Sequence, residues 1–267
     1  MVAAAVTLVQ GSSPSPQPRQ EGAENSIGLS YTLTFLAVPF GHIDYAARFA
    51  GSRYIAEMHF RTAGLAAILW KAKIDTVAEG HATSGALLPV TYTSRSLSHG
   101  GAVRSVRLEY SEKGPPAITA EPPYDLSRYP VTNAEKQGTV DPVTAISSVV
   151  AGFSTSTLQP CGKTLAVFDG RRHYDIVFSF VQQETNSAGA GAHPRLCKAE
   201  YRHIAGLSQD VVDVSKVPTI YAIFVDDAAE SRSYTFARTI WSSFLWGAVS
   251  AKLTEATVDG RSLTLGP

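Results

Sequence analysis

The chain has 267 residues, 44% apolar and 17% charged, which is long enough to bury a substantial core in a single domain without staples. Lys plus Arg equals Asp plus Glu at 23 each, so no basic excess favours nucleic acid as a partner, which requires a face that neutralises several phosphates. No run reaches the about 20 apolar residues of a spanning helix, so stable membrane insertion is not expected either.

The amino-terminal residues 1–11 hold a short apolar run, Ala3 to Val9, that passes into Gln10, Gly11 and Ser12. A secretion signal has a basic region, an apolar region and a small-residue cleavage site. The basic region is missing here, and the segment reads as a truncated signal-peptide remnant, with a cytosolic tail as the other reading. Residues 12–26 (SSPSPQPRQEGAENS) are rich in Ser, Pro, Gln and Glu, too polar to offset their ordering entropy, and are expected to form a disordered linker. Residues 27–267 are expected to form one domain.

From Gly28 onward the apolar period is two. Tyr31, Leu33 and Phe35 alternate with threonines; Ile43, Tyr45, Ala47 and Phe49 follow a turn expected at Val38-Pro39-Phe40-Gly41; Tyr54, Ala56, Met58 and Phe60 follow Gly51-Ser52. Alternation bounded by Pro and Gly predicts a meander of half-buried antiparallel strands. Gly64 to Trp70 breaks the alternation and predicts a short helix or apolar bridge. Strands resume at Lys73 to Glu79, Leu88 to Ser94 and Val103 to Tyr110. Five prolines between Pro115 and Pro130 then interrupt pairing, and Glu121 to Gly138 is expected to be a surface loop.

Asp141, Pro142 and Gly152 punctuate a helix as N-cap, first residue and terminator, with Val143, Ile146, Val149 and Val150 on one stripe. That stripe needs an apolar partner, and the concave face of the sheet is the natural one. Further on, Asp169-Gly170 between two strand-like runs signals a hairpin. The basic cluster Arg171-Arg172-His173 reads as its solvated end. After a glycine-rich loop over Gln182 to Arg195, strands are expected at Lys198 to Ile204, Thr219 to Val225, Ser233 to Trp241, Ala248 to Thr254 and Ser262 to Leu265, with Asp226, Asp227 and Glu230 in a solvated turn. The predicted class is mainly β: a single open, spiral-like antiparallel β-barrel of about a dozen strands, with one helix (about 142–151) in or against its concave face.

Signs of catalysis are sparse. Gly152-Phe153-Ser154-Thr155-Ser156 lacks the closing glycine of a nucleophile elbow. Gly189-Ala190-Gly191 lacks the third glycine and the helix of a dinucleotide fingerprint, and no cofactor is expected. Cys161, His193, Cys197 and His203 could surround zinc, but tight Cys knuckles are missing, and no metal is expected. Two thiols in a chain of this size fit one disulfide, Cys161 to Cys197, in an oxidising compartment; in the cytosol they would be two buried thiols. Tyr45, Phe49, Met58 and Phe60 admit two readings, plain core packing or a candidate apolar groove on a curved sheet.

Four segments together carry a resemblance: Tyr31 to Leu65, Asp141 to Val149 (DPVTAISSV), Val167 to Phe178 (VFDGRRHYDIVF) and Gly247 to Ala256 (GAVSAKLTEA). The chain resembles bacterial exported proteins of the domain-of-unknown-function 3108 family, especially its alphaproteobacterial branch. The resemblance implies a Cys on each side of the VFDGR hairpin, matching Cys161 and Cys197, and secretion to the periplasm of a Gram-negative bacterium. It implies no established enzymatic activity. By looser analogy it implies a fold similar to periplasmic lipoprotein-carrier and envelope-integrity proteins. The leading expectation is therefore a non-enzymatic periplasmic protein that supports cell-envelope integrity by binding a protein partner. The alternative is a carrier or sensor of an apolar ligand, such as a lipid or lipoprotein acyl chain, on the concave face; a hydrolase is the third.

Overall fold

The structure is a computed structural model that describes residues 24–98, 100–125, 127–150, 161–183, 194–208, 218–228, 233–245 and 247–264. The expected signal remnant, Gly152 and most of the glycine-rich loop lie outside the described residues.

The first half of the chain forms β1 (Glu24–Phe35), β2 (Val38–Ala50), β3 (Arg53–Thr62), α1 (Gly64–Leu69), β4 (Lys73–Ala82), β5 (Leu87–Leu97), β6 (Val103–Ser111) and β7 (Gly114–Glu121). Then come α2 (Asn133–Lys136), α3 (Pro142–Val150), β8 (Thr164–Phe168), β9 (His173–Gln183) and β10 (Arg195–Ala205). The chain continues through β11 (Ile220–Ala228), β12 (Ser233–Phe244), β13 (Gly247–Val258) and β14 (Arg261–Ser262). Among the described residues these make one 14-stranded antiparallel sheet in the order β7-β6-β5-β4-β3-β2-β1-β13-β12-β11-β10-β9-β8, with β14 beside β13. Two meanders are thus joined in the middle, where β1 pairs β13 through Leu29↔Ala256, Tyr31↔Leu253 and Leu33↔Ala251.

A sheet this long curls, because each strand is rotated against its neighbour in a fixed hand. The curl is visible in what α3 touches: β3, β4 and β5 on one side, and β8 and β12 on the other. The turn between β8 and β9 reaches β6, where a side chain on Gly170 would meet Val106 Cγ1 at 2.6 Å. The two ends of the sheet face each other across the helix, and β7 and β8 remain unpaired with one another. The result is an open spiral and not a closed barrel.

Alternation decides which side chains enter. Ile27, Leu29, Tyr31 and Leu33 on β1, Tyr45, Ala47 and Phe49 on β2, and Tyr54 and Ala56 on β3 are buried within one cluster that also takes in Tyr92, Leu108, Val143 and Phe168. A second cluster gathers Val149, Cys161, Cys197, Ala222, Phe224 and Ala237.

Several local expectations need correcting. The first hairpin turns at Leu36 and Ala37, both at positive φ (49° and 66°), and Val38–Gly41 belongs to β2. The two-residue turn needs left-handed backbone at both positions, and nothing in the types Leu and Ala announces it. Pro115 and Pro116 do not end pairing, because β7 is an end strand whose outer side needs no ladder donor. Within the expected surface loop, Thr132 and Glu135 form a capping box that starts α2. Residues 24–26, assigned to the linker, are the opening of β1, where Glu24 faces Ala50. Asp226 and Asp227 lie in β11 and not in a turn, and Asp226 is bonded by Arg195 and by the Thr235 hydroxyl.

Candidate functional site

Helix α3 is fixed before it begins. The Val140 N–H donates to the Ala166 carbonyl at 3.0 Å, and the Phe168 N–H donates to the Val140 carbonyl at 2.9 Å, which stitches the helix approach to the free edge of β8. Asp141 then caps it: its Oδ1 accepts the N–H groups of Val143 (2.9 Å) and Thr144 (2.8 Å), and its Oδ2 accepts the Thr144 hydroxyl. The carboxyl is fully buried, and burial pushes its pKa up to about 6 despite these hydrogen bonds, which act in the opposite direction.

Three residues of the predicted stripe, Val143, Val149 and Val150, are buried, but they are not the only buried side of α3. Thr144 and Ser147 are as buried as Val143. They are satisfied by the sheet: Tyr54 Oη lies 2.7 Å from Thr144 Oγ1, and Tyr45 Oη donates to Ser147 Oγ at 2.9 Å. Ile146, placed on the buried stripe, is instead 37% exposed. The polar side is clamped by tyrosines, and the side with Ile146, Val149 and Val150 looks into open space.

That space is a cavity of about 320 Å³ between α3 and the inner face of the sheet. It arises from side-chain size. Ala145, Ala199, Ala222, Ala237 and Ala251 come from five different elements and all face it. Larger walls are supplied by Tyr31, Tyr45, Met58, Phe178 and Phe224, together with Ile43, Leu165, Ile176, Ile220 and Ile240. The two hydroxyls in this lining are already occupied, Tyr45 on Ser147 and Tyr31 on the Ala237 carbonyl at 2.7 Å. Burial holds both phenols well above their usual pKa, so they remain neutral. The lining thus offers a guest molecule no free side-chain hydroxyl, only apolar contact.

The disulfide packs behind the lining, fully buried. Cys161 and Cys197 are bonded, with Cα atoms 5.5 Å apart, and pack with Val149, Phe224 and Ala237. Their sulfurs are therefore not available to the zinc set considered from the sequence. Of the four candidate groove residues, Tyr45 and Met58 line the cavity. Phe49 and Phe60 do not: Phe49 is 1% exposed and packs on Tyr54 with ring centroids 6.4 Å apart, and Phe60 packs on the same closed core. The pairs Tyr45↔Met58, Ile43↔Phe60 and Phe49↔Tyr54 put all four on one face of the sheet, but two of them close the core and do not wall the cavity.

A second hollow, of about 460 Å³, opens where the β8–β9 turn meets β4 to β6. Arg171 and Arg172 are exposed, as a solvated hairpin end requires, yet both line this hollow together with Arg104. The turn is not the two-residue type that Asp-Gly suggests. Gly170 alone has positive φ (95°), and Asp169 Oδ1 accepts the N–H groups of Arg171 and Arg172 in a four-residue connection.

Among the described residues, no helix is long and apolar enough to cross a membrane. Residues 30–229 match the family described as "Protein of unknown function (DUF3108)". Among solved structures the chain is similar to a β-barrel-like protein of domain of unknown function DUF1849 from Brucella abortus, at 11% identity and a TM-score of 0.52, over 88% of this chain and 97% of that one. No curated protein matches.

Proposed function

We propose, from the premise that this chain belongs to the DUF3108 family, that it is a non-enzymatic binding protein whose cavity beside α3 holds an apolar ligand. The observation that carries the reading is the cavity lining, almost all carbon, with both hydroxyls satisfied within the protein. At about 320 Å³ it is roughly twice the ~150 Å³ engineered cavity that stays dry and takes up benzene. Binding sites for small molecules start at about this size and are mostly apolar. Ligand carriage has this support, so it takes precedence over the protein-partner reading that the sequence alone favours. The proposal includes a periplasmic location, for which the support is the Cys161–Cys197 bond, suited to an oxidising compartment, and the family resemblance.

Titration with N-phenyl-1-naphthylamine, an uncharged apolar fluorophore, tests the proposal. Its emission is expected to rise and shift to the blue with a saturable 1:1 response. The double substitution Ala222→Leu/Ala237→Leu, which fills the cavity from two strands, is expected to abolish the response. An emission unchanged by the wild-type protein overturns the reading.

A further inference from the structure

We infer that the ligand is a single-chain amphiphile with an anionic head group, its tail in the apolar cavity and its head in the arginine-lined hollow. This rests on the apolar-cavity reading and adds to it the class of molecule. Three elements run from one space into the other along a single face. On β3, Met58 lines both spaces. On α3, Pro142 lines the hollow and Ile146, one turn on, lines the cavity. On β9, Tyr174 lines the hollow and Ile176, two residues on, lines the cavity. The two spaces are therefore neighbours along one groove, with the Met58 side chain, flexible and unbranched, at the boundary between them.

The charge at the far end is positive and only partly compensated. Arg172 is matched by Asp169, with contacts of 2.8 Å from Nε and 2.7 Å from a terminal nitrogen. Arg104 donates to the Pro122 carbonyl at 2.6 Å and lies 4.6 Å from the Tyr124 ring centroid, and Arg171 lies 5.8 Å from the same centroid. Neither Arg104 nor Arg171 meets a carboxylate among the described residues. Two guanidinium groups on one aromatic plate are held in place but not neutralised, and guanidinium forks match carboxylate or phosphate oxygens. The chain as a whole is neutral, so no net charge of the protein draws an anion to this groove.

Probes with a ten-carbon tail and different head groups separate the two parts of the groove. Isothermal titration with decanoate, 1-decanol, decyltrimethylammonium and acetate provides the test. Decanoate is expected to bind at least about ten-fold more tightly than the alcohol or the cation, and to weaken as salt rises. Arg104→Gln and Arg171→Gln are each expected to reduce decanoate affinity about ten-fold, the scale of a charge-assisted hydrogen bond, while leaving decanol binding unchanged. Equal binding of decanoate and decanol by the wild-type protein overturns the head-group assignment and leaves the apolar cavity standing. Acetate as effective as decanoate also overturns it, in favour of a plain anion site. Failure of every ten-carbon probe overturns both readings.

Discussion

Asp141→Asn separates two forces that act on one buried carboxyl. Asp141 caps α3, where backbone N–H groups favour the ionised form, yet its complete burial favours the neutral one. With burial dominant, the folded-state pKa is about 6 against an ordinary 3.8, a displacement equivalent to about 3 kcal/mol. The sign follows from linkage: the folded protein holds this proton more tightly than the unfolded chain. Stability from this group is thus fully present below about pH 4 and is lost as pH rises through about 6. Asn keeps Oδ1 for the Val143 and Thr144 N–H groups and presents Nδ2 to the Thr144 hydroxyl, so the cap survives without a titrating group. Urea unfolding of both proteins at pH 4, 5, 6 and 7 gives a difference curve in which all other titrations cancel. The wild type is expected to lose about 2 kcal/mol relative to Asp141→Asn across that range. A flat difference, or one that rises with pH, would refute the dominance of burial and assign control to the helix cap.

Other expectations are simpler to state. The disulfide closes a loop of 36 residues, so Cys161→Ser, Cys197→Ser or reductant is expected to remove about 4 kcal/mol in the chain-entropy account, with an unchanged far-ultraviolet spectrum; a reductant-insensitive melting temperature contradicts it. Gly162 and Gly170 share φ of +95°, but an added Cβ meets nothing within 4 Å at the first and Val106 at 2.6 Å at the second. Gly162→Ala should cost about 1–2 kcal/mol of backbone strain and Gly170→Ala a further ~1–3 from overpacking, and equal costs by thermal unfolding would disprove the contact between the β8–β9 turn and β6. Ala222→Leu/Ala237→Leu is expected to maintain or raise the melting temperature while removing probe binding; a fall of several degrees would show that the space is too small for the added side chains.

The sheet was legible because alternation is a local property: Tyr31 and Leu33, Ile43 to Phe49 and Tyr54 to Phe60 announce their inward faces without reference to anything else, whereas Phe35, read in the same series, sits beside the turn and is 40% exposed. The α3 cap was equally local in Asp141 and Pro142. The cavity was not, since it depends on five alanines from five elements, each unremarkable where it stands in the chain. Nothing in the sequence announces the burial of Thr144 and Ser147, because their partners, Tyr54 and Tyr45, lie 90 and 102 residues away. Arg171 and Arg172 were read correctly as the end of a hairpin, but what that hairpin rests on comes from β4 to β6. Shape at a distance is set by sheet curl, which no single segment states.

The join between β1 and β13 has a bearing on how the molecule is made. Contacts such as Thr254 Oγ1 to the Ser30 carbonyl bridge 224 residues. Within each meander strands pair with their neighbours in sequence, but the seam between the two must wait until β13 has been synthesised, and such distant closures are slow. Leu29, Tyr31 and Ala251, which flank that seam, also wall the cavity. A nascent chain therefore has no pocket until β13 has paired with β1, and until then that edge of β1 stands unpaired.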